Sequence, residues 1–378
     1  MKILLLGDAS HYNRTLAEGL RRRGHQVCVA SEGSAWMNTG RDVDLRRTLP
    51  GCFGGALLWA RLNTTLRARL RGWDVVQLCG PTFMRLRPGK LRRLFDNLRR
   101  HNGMVCMTAI GTDTAFIDMC KDPHGPLEYS EWAVDGVPTE YAASGRGRTV
   151  SQWQEPVLAQ YARYIYDNID GAVTALYEYQ LSMARVAGPE RIAYGGIPID
   201  TSAIRPDDTD RRGMPIRILL PSHIGREQEK GIPQLALIAE DLRRRHSQTV
   251  EVMPVHNLPY ADFLKHLAKA DIVLDQLYSY TPATTALLAM AMGKTVVTGA
   301  EKQFNDFQGC DTPAINIDPR HPADAIPAIE EYLDRGALAR NGALARNYVV
   351  EHNDCEVVAR RYEDFWNKIS LIKNSPAK

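Results

Sequence analysis

No apolar run in this 378-residue sequence reaches the 18 residues that a bilayer-spanning helix needs, so no membrane span is expected. Met1-Lys2 leads straight into an apolar strand, and no signal peptide is expected. The seven cysteines include no closely spaced pair. Several sit in apolar runs such as Val27-Cys28-Val29 and Val105-Cys106-Met107, which reads as small buried hydrophobes in a reducing compartment. No His, Cys and Asp cluster has zinc spacing. Asp271 and Asp275 begin and end one strand, ~13 Å apart along the chain, which does not make a metal pair. The loop after the first strand, Gly7-Asp8-Ala9-Ser10-His11-Tyr12-Asn13, lacks GxGxxG, so nicotinamide binding has weak support. A net charge of +3 with no recognition motif gives nucleic-acid binding thin support. These absences leave a cytoplasmic protein, at most peripheral at the inner face of a membrane.

What is present is enough chain for two domains of roughly 150–190 residues each. Lys2–Leu6 reads as a strand, Thr15–Arg23 as a helix stopped at Gly24, and Gln26–Ala30 as the next strand, a Rossmann-like opening. Glu32–Leu49 is polar and turn-like, with Trp36 isolated in it, either stacking on a sugar or lipid or packing locally. Leu57–Leu70 reads as a helix. Arg85–Arg100, RLRPGKLRRLFDNLRR, becomes a basic amphipathic helix after Pro88. Leu91, Leu94, Phe95 and Leu98 fall near one face, and Arg92, Arg93, Arg99 and Arg100 point largely elsewhere. Such a helix can lie on anionic headgroups or cover the sheet in solvent. Asp113 follows the strand Met104–Ala109 and opens a short helix through Ala115–Met119, which it could cap. Asp122–Val150 is long, irregular and rich in Gly, Pro and Ser, a binding flap or a partly mobile segment. Gly195–Asp210 is linker-like, and the domain boundary is placed near Asp200–Gly213.

The second half is organised around Asp271–Thr298, DIVLDQLYSYTPATTALLAMAMGKTVVT. Ile272–Leu274 is a short buried strand, Asp275–Pro282 a polar loop, Thr284–Met292 an uncharged helix, Gly293-Lys294 its stop, and Thr295–Val297 the next strand. Ligands of a parallel sheet sit beyond the carboxyl ends of its strands, so the loop from Asp275 to Thr285 is where a substrate belongs. Upstream, Pro221–Gly231, PSHIGREQEKG, places Arg226 and Lys230 four residues apart before a helix. That spacing puts both cations on one side, suited to a diphosphate, or to a surface network with Glu227 and Glu229.

The Asp271–Thr298 stretch resembles the donor-sugar motif of retaining glycosyltransferase family 4, whose members adopt the GT-B fold: Glu-Gly-Phe-Gly, then Glu-Ala-Met-Ala-x-Gly. Ala289-Met290-Ala291-Met292-Gly293 keeps the second half. The two family glutamates fall on Tyr280 and Leu288, and the DQLYSYTPA–ALLAMA form is similar to a bacterial subgroup. The resemblance implies an α/β GT-B fold of two Rossmann-like domains facing each other across a cleft. An acceptor-side domain would span 1–200, a donor-side domain 213–350, and a C-terminal helix, 354–372, would return to the first domain. It implies a metal-independent retaining transferase with no tightly bound cofactor, moving a sugar from a UDP- or GDP-sugar to a glycan, glycolipid or other lipid-linked cell-envelope acceptor, with membrane contact through 85–100. The alternatives are a nucleotide-sugar epimerase on the same fold and a non-catalytic nucleotide- or partner-binding protein. Arg226, Lys230, His11 and Asp113 would be catalytic, Asp113 by accepting hydrogen bonds from hydroxyls at the cleft rim. Gly7, Ser10, Gly225, Gly231, Asp275, Gln276, Tyr280, Thr281, Pro282 and Thr285 would bind the donor. Retention in this fold is argued as front-face attack, with the leaving phosphate taking the acceptor's proton. The hydroxyls of Tyr280 and Thr281 would stand in for the missing glutamates, and Leu288 would pack beneath the loop.

Overall fold

The computed structural model describes residues 1–34, 37–206, 209 and 211–374. Trp36 lies outside the described residues, as does part of the 200–213 boundary. The chain divides into two units: Met1–Ile117, Gln152–Pro198 and Cys355 onward in one, Asp118–Ser151 and Ile199–Asp354 in the other.

In the first unit, apolar runs form β1 (Lys2–Leu6), β2 (Gln26–Ser31), β3 (Val43–Asp44), β4 (Val75–Cys79) and β5 (Met104–Ala109). Between them lie α1 (Tyr12–Arg22), α2 (Gly51–Asn63) and α3 (Pro88–His101). The near-continuous apolar character of β1 and β5 fits strands covered on both faces. Helix α2 starts six residues before the expected Leu57 and ends at Asn63, with a separate 3-10 turn at Arg67–Leu70. The early start passes through Gly54, where a Cβ would come 1.7 Å from the Leu49 carbonyl oxygen, so only glycine allows this approach. The leucines of α3 correct an expectation: Leu91, Leu94, Phe95 and Leu98 are buried in the core of this unit. The apolar face read as lipid-binding covers the sheet.

The chain then runs through α4 (Thr114–Cys120) into a segment of the second unit: the hairpin β6 (Ala133–Val134) and β7 (Val137–Pro138), α5 (Glu140–Ala143) and α6 (Gly145–Val150). This is the stretch expected to be irregular. It is instead built on buried Tyr129, Trp132 and Tyr141, with Trp132 packed edge-on to Tyr141 and Lys121 lying over its ring. The first unit resumes with α7 (Pro156–Asn168), β8 (Gly171–Thr174), α8 (Tyr177–Ala184) and β9 (Ile192–Tyr194). Its seven-stranded sheet has the order β3-β2-β1-β4-β5-β8-β9, parallel throughout.

The second unit continues with β10 (Ile216–Ser222), α9 (Glu227–Lys230), α10 (Ile232–Arg245), β11 (Val250–His256), α11 (Tyr260–Lys269) and β12 (Ile272–Leu274). Then come α12 (Thr284–Ala291), β13 (Thr295–Thr298), α13 (Lys302–Gln308), β14 (Ile315–Asn316), α14 (Ala325–Glu330) and α15 (Arg335–His352). Its sheet is β11-β10-β12-β13-β14, also parallel. The last helix, α16 (Cys355–Asn374), belongs to the first unit. There Tyr362 Oη lies 2.9 Å from both Tyr12 Oη and Thr108 Oγ1, and Trp366 Nε1 donates to Gln77 Oε1 at 2.9 Å. Both units are doubly wound α/β sheets of Rossmann type. The strand order reverses between β1 and β4 in one and between β10 and β12 in the other, which marks where each sheet can open a ligand crevice. No helix among the described residues is long and apolar enough to cross a membrane.

Candidate active site

At the second unit's switch point, the loops after β10 and β12 are joined by an ion pair. Lys230 Nζ donates to Asp275 Oδ1 at 2.8 Å, and the Leu277 N–H donates to the Lys230 carbonyl at 2.9 Å. Gly231, at φ +69, permits this: a Cβ there would sit 2.5 Å from Leu277 Cβ. Gly225, at φ +80, turns the β10 loop in open space. Asp275 is fully buried, and its Oδ2 has no hydrogen-bond partner. The register pairs Leu274 with Val297, so Asp275 and Thr298 end neighbouring strands. Thr298 Oγ1 and Ser279 Oγ are likewise buried without partners. Three orphaned oxygens at one sheet end are a costly arrangement for a site that only folds.

Arg226 sits at the N-cap of α9 with its guanidinium on Glu229, Nε lying 3.1 Å from both carboxylate oxygens. Glu229 also takes Arg146 from the 118–151 segment, Nε to Oε2 2.6 Å. Burial would raise the Glu229 carboxyl, but the two arginines outweigh it and hold it below its ordinary range. Burial, then Lys230 and Arg226, lower His223. The expected surface network with Glu227 and Glu229 is therefore half present, with Glu229 engaged in a two-arginine clamp. The other aspartate once weighed as a metal partner is held elsewhere: Asp271 pairs with Arg335 at 2.7 Å and with Arg211 at 3.1 Å.

The β12–α12 loop corrects part of the sequence reading. Tyr280 is 2% exposed, and its hydroxyl accepts from the Glu128 N–H at 2.8 Å and more weakly from that of Tyr129 at 3.4 Å. Its ring stacks on Tyr129, centroids 4.6 Å apart. Burial pushes its phenol up to about 12. Tyr280 therefore anchors the 118–151 segment rather than presenting a hydroxyl to a sugar. Thr281 and Pro282 are buried as well, while Gln276 and Thr285 are partly exposed. Leu288 is buried, on the uncharged α12. The segment is latched further by Tyr129 Oη, which donates to Glu301 Oε1 at 2.6 Å, and by Arg320, which pairs with Glu128. Tyr129 and Arg146 carry no signal in the sequence, and Glu229 reads there only as part of a surface network. No local pattern distinguishes a Gly- and Ser-rich mobile loop from one that docks through scattered aromatics.

In the first unit, Gly7 takes φ +90 at the end of β1, and a Cβ there would meet the Phe83 carbonyl oxygen at 2.8 Å and Cys79 Cβ at 3.0 Å. Ser10 is exposed, and Ser10 and His11 take left-handed φ values of 50° and 64°. Asp8 accepts from Thr39 Oγ1 at 2.7 Å and from the Asn13 N–H at 2.9 Å. Burial nevertheless raises its carboxyl, and burial lowers His11. Asp113 is buried, and its Oδ1 accepts from the Phe116 N–H at 3.0 Å. It caps α4, which is the first of its two sequence readings.

No protein-family model matches the sequence, and no curated protein matches it. Solved structures do. Sucrose-phosphate synthase from Thermosynechococcus elongatus is 14% identical with a TM-score of 0.64, over 99% of this chain and 100% of that one. A glycosyltransferase from Rickettsia africae is 12% identical with a TM-score of 0.56, over 99% of each chain. Anabaena HepE in complex with UDP-glucose is 11% identical with a TM-score of 0.56, over 97% of this chain and 99% of that one. At such identities the likeness establishes the fold, and the fold is GT-B.

Proposed function

We propose that the protein is a glycosyltransferase that moves a sugar from a nucleotide-sugar donor, held by its second unit, to a glycan or lipid-linked acceptor. One observation carries this reading: Lys230, Arg226 and Arg146 gather at the switch point of that unit, two of them on one turn of chain. A nucleoside diphosphate takes the arginines from Glu229 and adds to Lys230, whose ammonium keeps Asp275 and still has N–H groups to donate, and it takes up negative charge as the sugar–phosphate bond breaks. Fixed cations stabilise that charge most when it is greatest. The orphaned oxygens of Asp275, Ser279 and Thr298 suit the hydroxyls of a ribose or sugar. Similarity to a structure holding UDP-glucose supports a UDP-sugar as the first donor to test. Retention, family 4 membership and independence of metal follow from the motif resemblance and belong to this proposal. Gly7, Ser10 and His11 are assigned to the acceptor or transferred sugar on the same basis.

Calorimetry with UDP, GDP and uridine tests the reading. Diphosphate affinity well above that of uridine is expected, followed by turnover of the matching nucleotide sugar and an anomeric configuration that NMR reads as retained. No diphosphate affinity would end the assignment. A second reading, a nucleotide binder without transfer, is favoured by the buried uncharged Tyr280 and Leu288 at the glutamate positions. It predicts tight diphosphate binding with no donor hydrolysis and no product with any acceptor. An epimerase would instead change the donor sugar without an acceptor.

A further inference from the structure

Helix α2, GCFGGALLWARLN, has Arg61 and Asn63 as its only polar side chains apart from the Cys52 thiol. Gly54, Gly55, Leu58 and Leu62 are its buried side. Phe53, Ala56, Leu57 and Ala60 recur at i, i+3, i+4 and i+7 on the other side, and all four are exposed, Phe53 at 76% and Leu57 at 42%. Leu49, 50% exposed, lies just before the helix, its carbonyl against Gly54. A helix that is apolar all round is ordinarily enclosed, and a contiguous patch of this kind marks a docking surface.

Charge says what docks there. From residue 45 to residue 73 the sequence holds no Asp or Glu and six arginines. From 41 to 100 it holds fourteen Arg and Lys against four Asp, in a chain of net charge +3. The structure brings these cations to the borders of α2. Lys90 lies 5.7 Å over the Trp59 ring, Arg61 Nη2 donates to the Asp44 carbonyl at 3.1 Å, and Arg47 bonds the carbonyls of Gly51 and Arg85. Arg85 is itself 70% exposed. An apolar stripe ringed by arginines matches the boundary between anionic headgroups and acyl chains. A second copy of this chain would bring two positive surfaces together, which disfavours self-association. A nucleic acid would find no polar group on the stripe to read.

We infer that α2 seats the protein on an anionic lipid surface, with Phe53 and Leu57 entering the acyl boundary and the arginines, together with the exposed face of α3, holding the headgroups. This differs from the contact expected of 85–100, whose leucines are spent in the core. Sedimentation of the full chain with vesicles of phosphatidylcholine alone, or with added phosphatidylglycerol, tests it, with the F53S/L57S variant as the probe. Both side chains are exposed, so an unchanged Tm is expected. The wild type should bind the anionic vesicles at low salt and not the neutral ones, and the variant should lose at least about tenfold in partitioning. The seat is overturned if the wild type fails to bind at low salt, or if the variant binds equally, which would leave the arginines alone responsible. It is also overturned if light scattering finds a wild-type dimer that the variant abolishes.

Discussion

The two switch points occupy the same topological place and are closed by different chemistry. Between β1 and β4, glycine backbone does it: Gly7 lies against the Phe83 carbonyl and Cys79, with Asp8 and His11 as the ionisable groups beside it. Between β10 and β12 an ion pair does it, with two arginines beside it on one carboxylate. A backbone contact has no alternative partner. A cation does, because an incoming anion can share it. The fold offers two switch points, and the proposed diphosphate is assigned to the second because its cations face partners that an incoming anion can join or replace.

The largest break in this contrast comes from Lys230→Ala. It strands a fully buried Asp275 carboxylate whose second oxygen already lacks a partner, and should cost about 3–5 kcal/mol of stability. Denaturant melts check it. K230A/D275L, which removes both charges, should recover most of that loss without recovering UDP binding. If K230A melts like the wild type, the pair does not close the switch point. Next in size are Arg226→Ala and Arg146→Ala. Each should lose about 1.5–3 kcal/mol of UDP affinity and leave uridine affinity unchanged. Arg146 sharpens the comparison, because it reaches the site from a segment 83 positions before Glu229. Unaltered UDP binding in R146A would reduce Arg146 to a structural tie.

Smaller again is Tyr280→Phe. The lost hydroxyl leaves the Glu128 N–H without its acceptor, at about 1–2 kcal/mol. Because Tyr280 anchors the 118–151 segment, amide exchange should quicken at 128–129 while the strand amides of β12 and β13 hold. Weakened UDP-sugar binding with unchanged exchange would instead return the hydroxyl to the sugar.

The strands were legible because parallel sheets covered on both faces write short apolar runs: Lys2–Leu6, Met104–Ala109 and Ile272–Leu274 fall where the sequence puts them. The Arg226/Lys230 spacing was legible for the same reason of locality, lying within one turn of a loop. The 118–151 segment was not. Its order comes from Tyr129 against Tyr280, 151 residues on, and from Arg146 against Glu229, and no window of sequence contains such a pair. The face of α3 shows the limit of periodicity. Leu91, Leu94, Phe95 and Leu98 give the same pattern whether the partner is a sheet or a lipid, and only the structure names the sheet. Tyr280 shows the limit of residue type, since a hydroxyl in a binding loop is read as a ligand until its partners are seen.

The smallest expected effect belongs to the first switch point, and its sign can be worked through. Burial lowers His11 below its ordinary 6.5, against the pull of Asp8 and with the push of Arg14. A histidine whose folded value is depressed contributes stability above its unfolded value, and that contribution is lost as pH falls through the folded value. The imidazole is thus held neutral in the fold, and acidification below about 6.5 forces a proton into it or onto the unfolded chain. Asp8 runs the other way. Burial raises it, so its contribution is present below the unfolded carboxylate value and is lost as pH rises through its folded one. The two contributions have opposite sign, and comparing wild type with a His11 variant isolates the histidine's share. His11→Asn is the clean variant, because asparagine tolerates the left-handed φ of 64° that the position requires. Wild type should lose Tm faster than H11N between pH 7 and pH 5, by less than any change above. Parallel curves would mean that the fold leaves His11 at its unfolded value, and a wild type that loses Tm more slowly than H11N would mean that the fold favours the imidazolium, so that the first switch point carries a cation as the second does.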